Sequence, residues 1–223
     1  MAYLTLFPGG TVAPCSRFWH TRTQQGTLPA PGADEAPAHW RFAGMRDAAG
    51  LDPVEIYEYL VRARGPILER VGALSDADYT REFPFGERTI RNTLAHVAAA
   101  EWAYNRRLRG EPVPPMAQRP FNRFYETGFT PLRQAWGELV EETRRTLQGI
   151  EDWSRPVDYL AAAGGGQPRV RIRTTTGGIA TQLVLHEVHH RAQVMVMLRH
   201  LGAPVESLDY SILMFAREEE AGP

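Results

Sequence analysis

The segment LVLHEVHHRAQVMVMLRHLG, residues 183–202, decides how the rest of the chain is read. Projected at about 100° per residue, Ile179, Leu183, His186, His190, Met197 and Leu201 fall within roughly 60° of one another, on the apolar stripe of one helix. A spacing of four residues stacks the two imidazoles one turn apart, where two ligands on one helix can meet one ion. A buried neutral imidazole needs both a donor and an acceptor, and each missing partner costs about 1–3 kcal/mol. An apolar stripe supplies neither, so coordination of one nitrogen of each ring is the reading that removes the cost.

Working outward, three more helical patterns precede this one. The first opens with Asp52 as N-cap, Pro53 in the first turn and Glu55 closing a capping box; Tyr57, Leu60, Ile67, Val71 and Leu74 line one face, and Gly65-Pro66 is expected to kink it. The second spans 89–108 with Ile90, Leu94, Val97, Tyr104 and Leu108 in step, and Gly110 stops it. The third starts at Thr130-Pro131 and carries Leu132, Trp136, Val140, Leu147 and Ile150. The fourth is expected to begin after Thr176-Gly177-Gly178 and to end at Gly202 and Pro204. Only RVRIRTT, 169–175, alternates like a strand, and one short strand cannot form a sheet, so it is placed in a loop. These elements define an all-α four-helix bundle, with long connections at 111–129 and 153–176 that suit crossovers.

Composition narrows the class. The 223 residues include 25 Arg, no Lys, and 26 Asp plus Glu, for a net charge of −1, which gives no field to attract nucleic acid. No apolar run approaches the ~18 residues that span a bilayer, so a cytoplasmic protein without a membrane partner is expected. The lone Cys15 excludes an internal disulfide and leaves any metal to histidines and carboxylates. Residues 1–50 carry Pro8, Pro14, Pro29, Pro31 and Pro37 with no sustained apolar period and read as an extension or arm; 51–223 form the bundle domain. Initiation at Met45 is the alternative account of that extension.

A third ligand comes from the second helix, where His96 sits beside Thr93, Ala100 and Ala103, small residues that leave room between helices. Three imidazoles, His96, His186 and His190, would leave an open position for water or substrate, the mark of a catalytic site. Asn92, Gln193 and Glu101 are the nearest polar candidates to orient the rings; Arg191 is a further candidate, though a solvated or salt-bridged flank is the plainer reading. His189 and His200 project toward the polar flank, and His20 and His39 lie in the extension. The donor set suits Zn²⁺ or Ni²⁺, with Fe²⁺ also compatible. His186-Glu187-Val188-His189-His190 also fits the H-E-x-x-H pattern of zinc peptidases, but Gln193 and Val196 stand where the longer metzincin pattern has Gly and His, and no sheet is expected to hold a peptide.

On these residues the chain over 52–219 resembles the DinB/YfiT-like metalloenzyme superfamily. The resemblance rests on TIRNTLAHVAAAEWAYNRRLRG, with its Leu-x-His-x-x-x-x-Glu stretch, on LVLHEVHHRAQVMVMLRHLG, with His-x-x-x-His-Arg-x-Gln, and on the closing LDYSILMFA. It implies an up-down-down-up bundle, often dimeric, holding a divalent ion through His96, His186 and His190. It also implies a metal-dependent transferase acting on a low-molecular-weight thiol such as bacillithiol or mycothiol, or activation of water, with Glu101 accepting the displaced proton. Ala192 replaces a glycine common in that pattern, a mild change on a helix. The alternative is a non-catalytic, metal-binding, dimeric stress-response module. A homodimer is expected because Val184, Leu185, Val188, Ala192 and Met195 make a second apolar side on the fourth helix. Metal binding is expected to weaken below about pH 6.

Overall fold

The structure, a computed structural model, describes residues 52–161 and 170–216; the readings of 1–50, including Cys15, His20, His39 and Met45, lie outside the described residues. Helix α1, Pro53–Gly72, is capped by the Asp52 carboxylate, which accepts from the Val54 N–H. Glu55 does not close the capping box: it accepts instead from the Tyr210 hydroxyl at 2.6 Å. Helix α1 continues as one element through Gly65-Pro66. A short α2, Asp76–Tyr79, leads to α3, Ile90–Leu108, whose Thr89 cap accepts from the Asn92 N–H at 2.9 Å.

Two 3₁₀ segments, Met116–Gln118 and Pro120–Tyr125, fill the connection to α4, Phe129–Gln148, and bury Phe121 and Phe124 against α3. Helix α4 begins one residue before the expected Thr130 cap, with Gly128 at the cap position and Pro131 in the first turn, where its missing N–H leaves no bond unmade. The loop placement of 169–175 is corrected. Val170–Thr175 is a strand, β2, paired antiparallel with β1, Pro156–Ala161, in a register from Pro156↔Thr175 to Ala161↔Val170. Burial alternates along β1, but its sequence hides this: Leu160, an apolar residue at an outward position, is 51% exposed, so the residue types do not alternate. Thr175 then caps α5, Thr176–His200, accepting from the Gly178 N–H at 3.0 Å, and a short α6, Tyr210–Met214, follows.

The four long helices form the bundle, with α1 and α3 each packed on both α4 and α5. Tyr57, Leu60, Ile90, Leu132, Trp136, Ile179, Met197 and Leu198 are among its fully buried side chains. At its centre lies a polar knot joining all four. Arg64 of α1 grips Glu187 of α5 with two donors, Nε at 3.1 Å and Nη2 at 2.6 Å, and donates from Nη2 to Glu101 of α3 at 2.9 Å. The Trp136 indole and Thr143 hydroxyl of α4 and the Tyr57 hydroxyl complete the coordination of Glu101. Burial alone would lower the Arg64 pKa, but the two carboxylates outweigh it and the guanidinium is held above its ordinary range. Such a knot fits one helix arrangement, because any other would strand a buried charge.

Candidate metal centre

Helices α3 and α5 pack against each other, and the small residues Thr93, Ala99 and Ala103 of α3 and Ala180 of α5 are buried. Across that contact His96 faces His186 and His190. The ring centroids are 4.9 Å apart for His96–His186 and 4.6 Å for each of the other two pairs. One nitrogen of each ring lies within 4.8 Å of the others. His190 is buried and the other two are half-buried, so the group sits at the edge of the core with one side toward solvent.

The rings are held neutral. Burial first, then neighbouring histidines, pushes His186 down to about 3 and His190 to about 4, and His96 is lowered by burial and His189. Gln193 sets the tautomer of His190. Its Oε1 lies 2.9 Å from Nδ1 and can only accept, so Nδ1 carries the proton and Nε2 keeps the lone pair. The Gln193 amide donates onward to Nε2 of the exposed His189 at 3.0 Å. Gly86 makes room for this: at φ 58° it lies so close that a Cβ there would stand 2.8 Å from Gln193 Oε1.

Nε2 of His96 and Nε2 of His186 are 2.9 Å apart. Two imidazole lone pairs repel at that distance unless a proton or a cation lies between them. The donor set, three neutral imidazoles one of which has its outer nitrogen fixed by an amide, fits a divalent transition metal ion. Tyr104 stands edge-on to His186 with centroids 5.8 Å apart, and burial raises its hydroxyl pKa.

The remaining candidates lie elsewhere. Glu101 points into the bundle, but its Oε1 accepts from Tyr57 and Thr143 and its Oε2 from Arg64 and Trp136. Arg191 is buried rather than on a solvated flank. It stacks over Tyr59 at 4.9 Å and donates to that hydroxyl, because α1 covers this side of α5. The Asn92 side chain makes no hydrogen bond to the three histidines among the described residues. His189 and His200 are exposed. The H-E-x-x-H reading needs Glu187 on the histidine side, whereas Arg64 holds it in the core, where burial raises its carboxyl pKa against the pull of Arg64. Sequence reasoning missed Arg64, Gly86 and the second role of Tyr104; the Gly after Phe83-Pro84-Phe85 was the one visible signal.

The fold and site are an all-α bundle with a three-histidine group, able to hold a metal ion, between its second and fourth long helices. The model of the DinB family matches residues 45–221, and the chain belongs to that family. No curated protein matches it.

Proposed function

We propose that His96, His186 and His190 hold a divalent ion, Zn²⁺ or Ni²⁺ before Fe²⁺, and that the protein is a metal-dependent enzyme acting on a low-molecular-weight thiol or on water. The observation that carries this reading is the convergence of three neutral imidazoles at the solvent-facing edge of the core, with His96 and His186 nitrogens 2.9 Å apart. A bound ion supplies Lewis acidity, lowering the pKa of a thiol or water at its open position. The chain's residues do the rest. Gln193 keeps the His190 lone pair inward, and Tyr104 walls the open side beside His186. Glu101 has a structural part rather than that of the proton acceptor: four hydrogen bonds, from Tyr57, Thr143, Arg64 and Trp136, occupy both of its oxygens and tie it into the core.

Elemental analysis of the purified protein beside His96→Ala, His186→Ala and His190→Ala tests the site. One equivalent of metal is expected in the parent and a substoichiometric amount in each variant; full retention in His186→Ala removes that residue from the centre. Loss of free thiol in the presence of a haloaromatic electrophile, dependent on metal, tests the activity.

A homodimer through the outer face of α5 belongs to the same proposal, on a narrower face than expected: Val184, Val188 and Met195 pack on the core, and Leu185 and Val196, 60% and 37% exposed, remain beside Ala192. This stripe is also what favours the second reading, a dimeric metal-binding stress module without turnover. Light scattering of Leu185→Glu, expected to be monomeric, tests the face. Metal-loaded dimer that consumes no thiol favours the module.

A further inference from the structure

A cavity of about 470 Å³ opens where the C-terminal end of α3 meets β1, walled by Arg107, Glu111, Pro112, Arg155, Val157 and Tyr159. Its charges do not cancel. Glu111 is held by Arg106 at 3.0 Å and Arg109 at 2.7 Å, and Asp158 by Arg171 at 2.8 Å with Arg173 at 3.7 Å. The two arginines facing inward have no such partner. Arg107 forms no ion pair among the described residues, and its Nε is buried without a hydrogen-bond partner. Arg155 donates to the Leu108 carbonyl and makes no ion pair within 4 Å among the described residues, though its charge is felt by Asp152, which is lowered first by hydrogen bonds from Ser154. The excess positive field is felt beyond the cavity: Arg119 is lowered, first by burial and then by the charge of Arg107.

The geometry points to a carboxylate-binding subsite at Arg107 and Arg155. The Arg107 guanidinium lies over the Tyr159 ring at 4.0 Å, so a face of the plane is covered and its N–H edge is what it offers. A planar acceptor meets such an edge with two parallel bonds, as a carboxylate does. Tyr159, Val157 and Pro112 receive an apolar body behind the charge, and the volume suits a small molecule.

The subsite is one ring from the histidines. Arg107 lies 5.7 Å from the Tyr104 centroid, and the Tyr104 and His186 centroids are 5.8 Å apart. Resting on the metal-centre reading above, this assigns the substrate class as a small organic acid with an apolar body, anchored at Arg107 and Arg155.

The test is calorimetric titration of the full chain with phenylacetate, its neutral amide and inorganic phosphate. Phenylacetate is expected to bind best, and Arg107→Gln and Arg155→Gln are each expected to weaken it about tenfold or more, with the fold checked by circular dichroism. Equal binding of the neutral amide, tighter binding of phosphate, or undiminished affinity in both variants overturns the subsite. His186→Ala keeps the two ideas apart. Phenylacetate binding retained in that variant supports the subsite whatever its metal content, whereas loss of metal alone speaks only to the centre.

Discussion

At the residue scale, the three-histidine group depends on residues that would not hold an ion themselves as well as on the histidines. Gly86 leaves room for Gln193, and Gln193 fixes the His190 tautomer. Gly86→Ala places a Cβ against Gln193 Oε1 and also strains a left-handed backbone by about 1–2 kcal/mol. Metal affinity is expected to fall about 10–100-fold, read by competition with a chromophoric chelator. Gln193→Ala should reproduce the fall without the strain; a variant pair in which stability drops but affinity does not breaks the link. Arg64 is different in kind. Arg64→Ala leaves Glu101 and Glu187 buried with no cation between them, and a loss of about 3–5 kcal/mol is expected by urea denaturation. A loss below about 1 kcal/mol would show that water enters the knot and replaces the guanidinium.

At the scale of elements, Thr175 couples the hairpin to the helix of His186 and His190, since it ends β2 and caps α5. Thr175→Ala removes the bond to the Gly178 N–H, and a loss of about 1 kcal/mol is expected in thermal unfolding. Helices α1, α3 and α5 were legible because their caps and three- and four-residue apolar steps agree. The start of α5 was read too late because Gly177 and Gly178 disfavour a helix in isolation. In the fold, a Cβ on Gly177 would stand 3.1 Å from the Trp153 carbonyl, so close approach of the preceding turn explains glycine there. The hairpin was missed because β1 places the apolar Leu160 outward, so its sequence does not alternate although its burial does, and β2 was left without a visible partner.

For the molecule as a whole, pH is the informative variable. His186 and His190 are lowered from 6.5 to about 3 and about 4, and His96 is lowered too. Below pH 6.5 the unfolded chain therefore binds protons that the folded protein refuses, so stability is full above that pH and declines as pH falls toward the folded values. The metal-free protein should lose thermal stability between pH 6.5 and 4.5, before ordinary glutamates with a reference value of 4.5 protonate. A flat melting temperature across that window argues against buried neutral rings. The same shifts move metal release below the pH of about 6 expected for ordinary imidazoles. Dialysis at stepped pH followed by elemental analysis reads this directly.

Periodicity and caps were enough to state the bundle and to bring His96, His186 and His190 to one face, because a repeating apolar step records which side of a helix is buried. It does not record which buried charges find one another. That Glu101 and Glu187 share Arg64, that Gly86 admits Gln193, and that Arg107 and Arg155 face one cavity are meetings between residues 37 to 123 positions apart or across unpaired loops. Only the closed tertiary structure decides them, since burial makes each charge seek whichever partner the packing brings within reach.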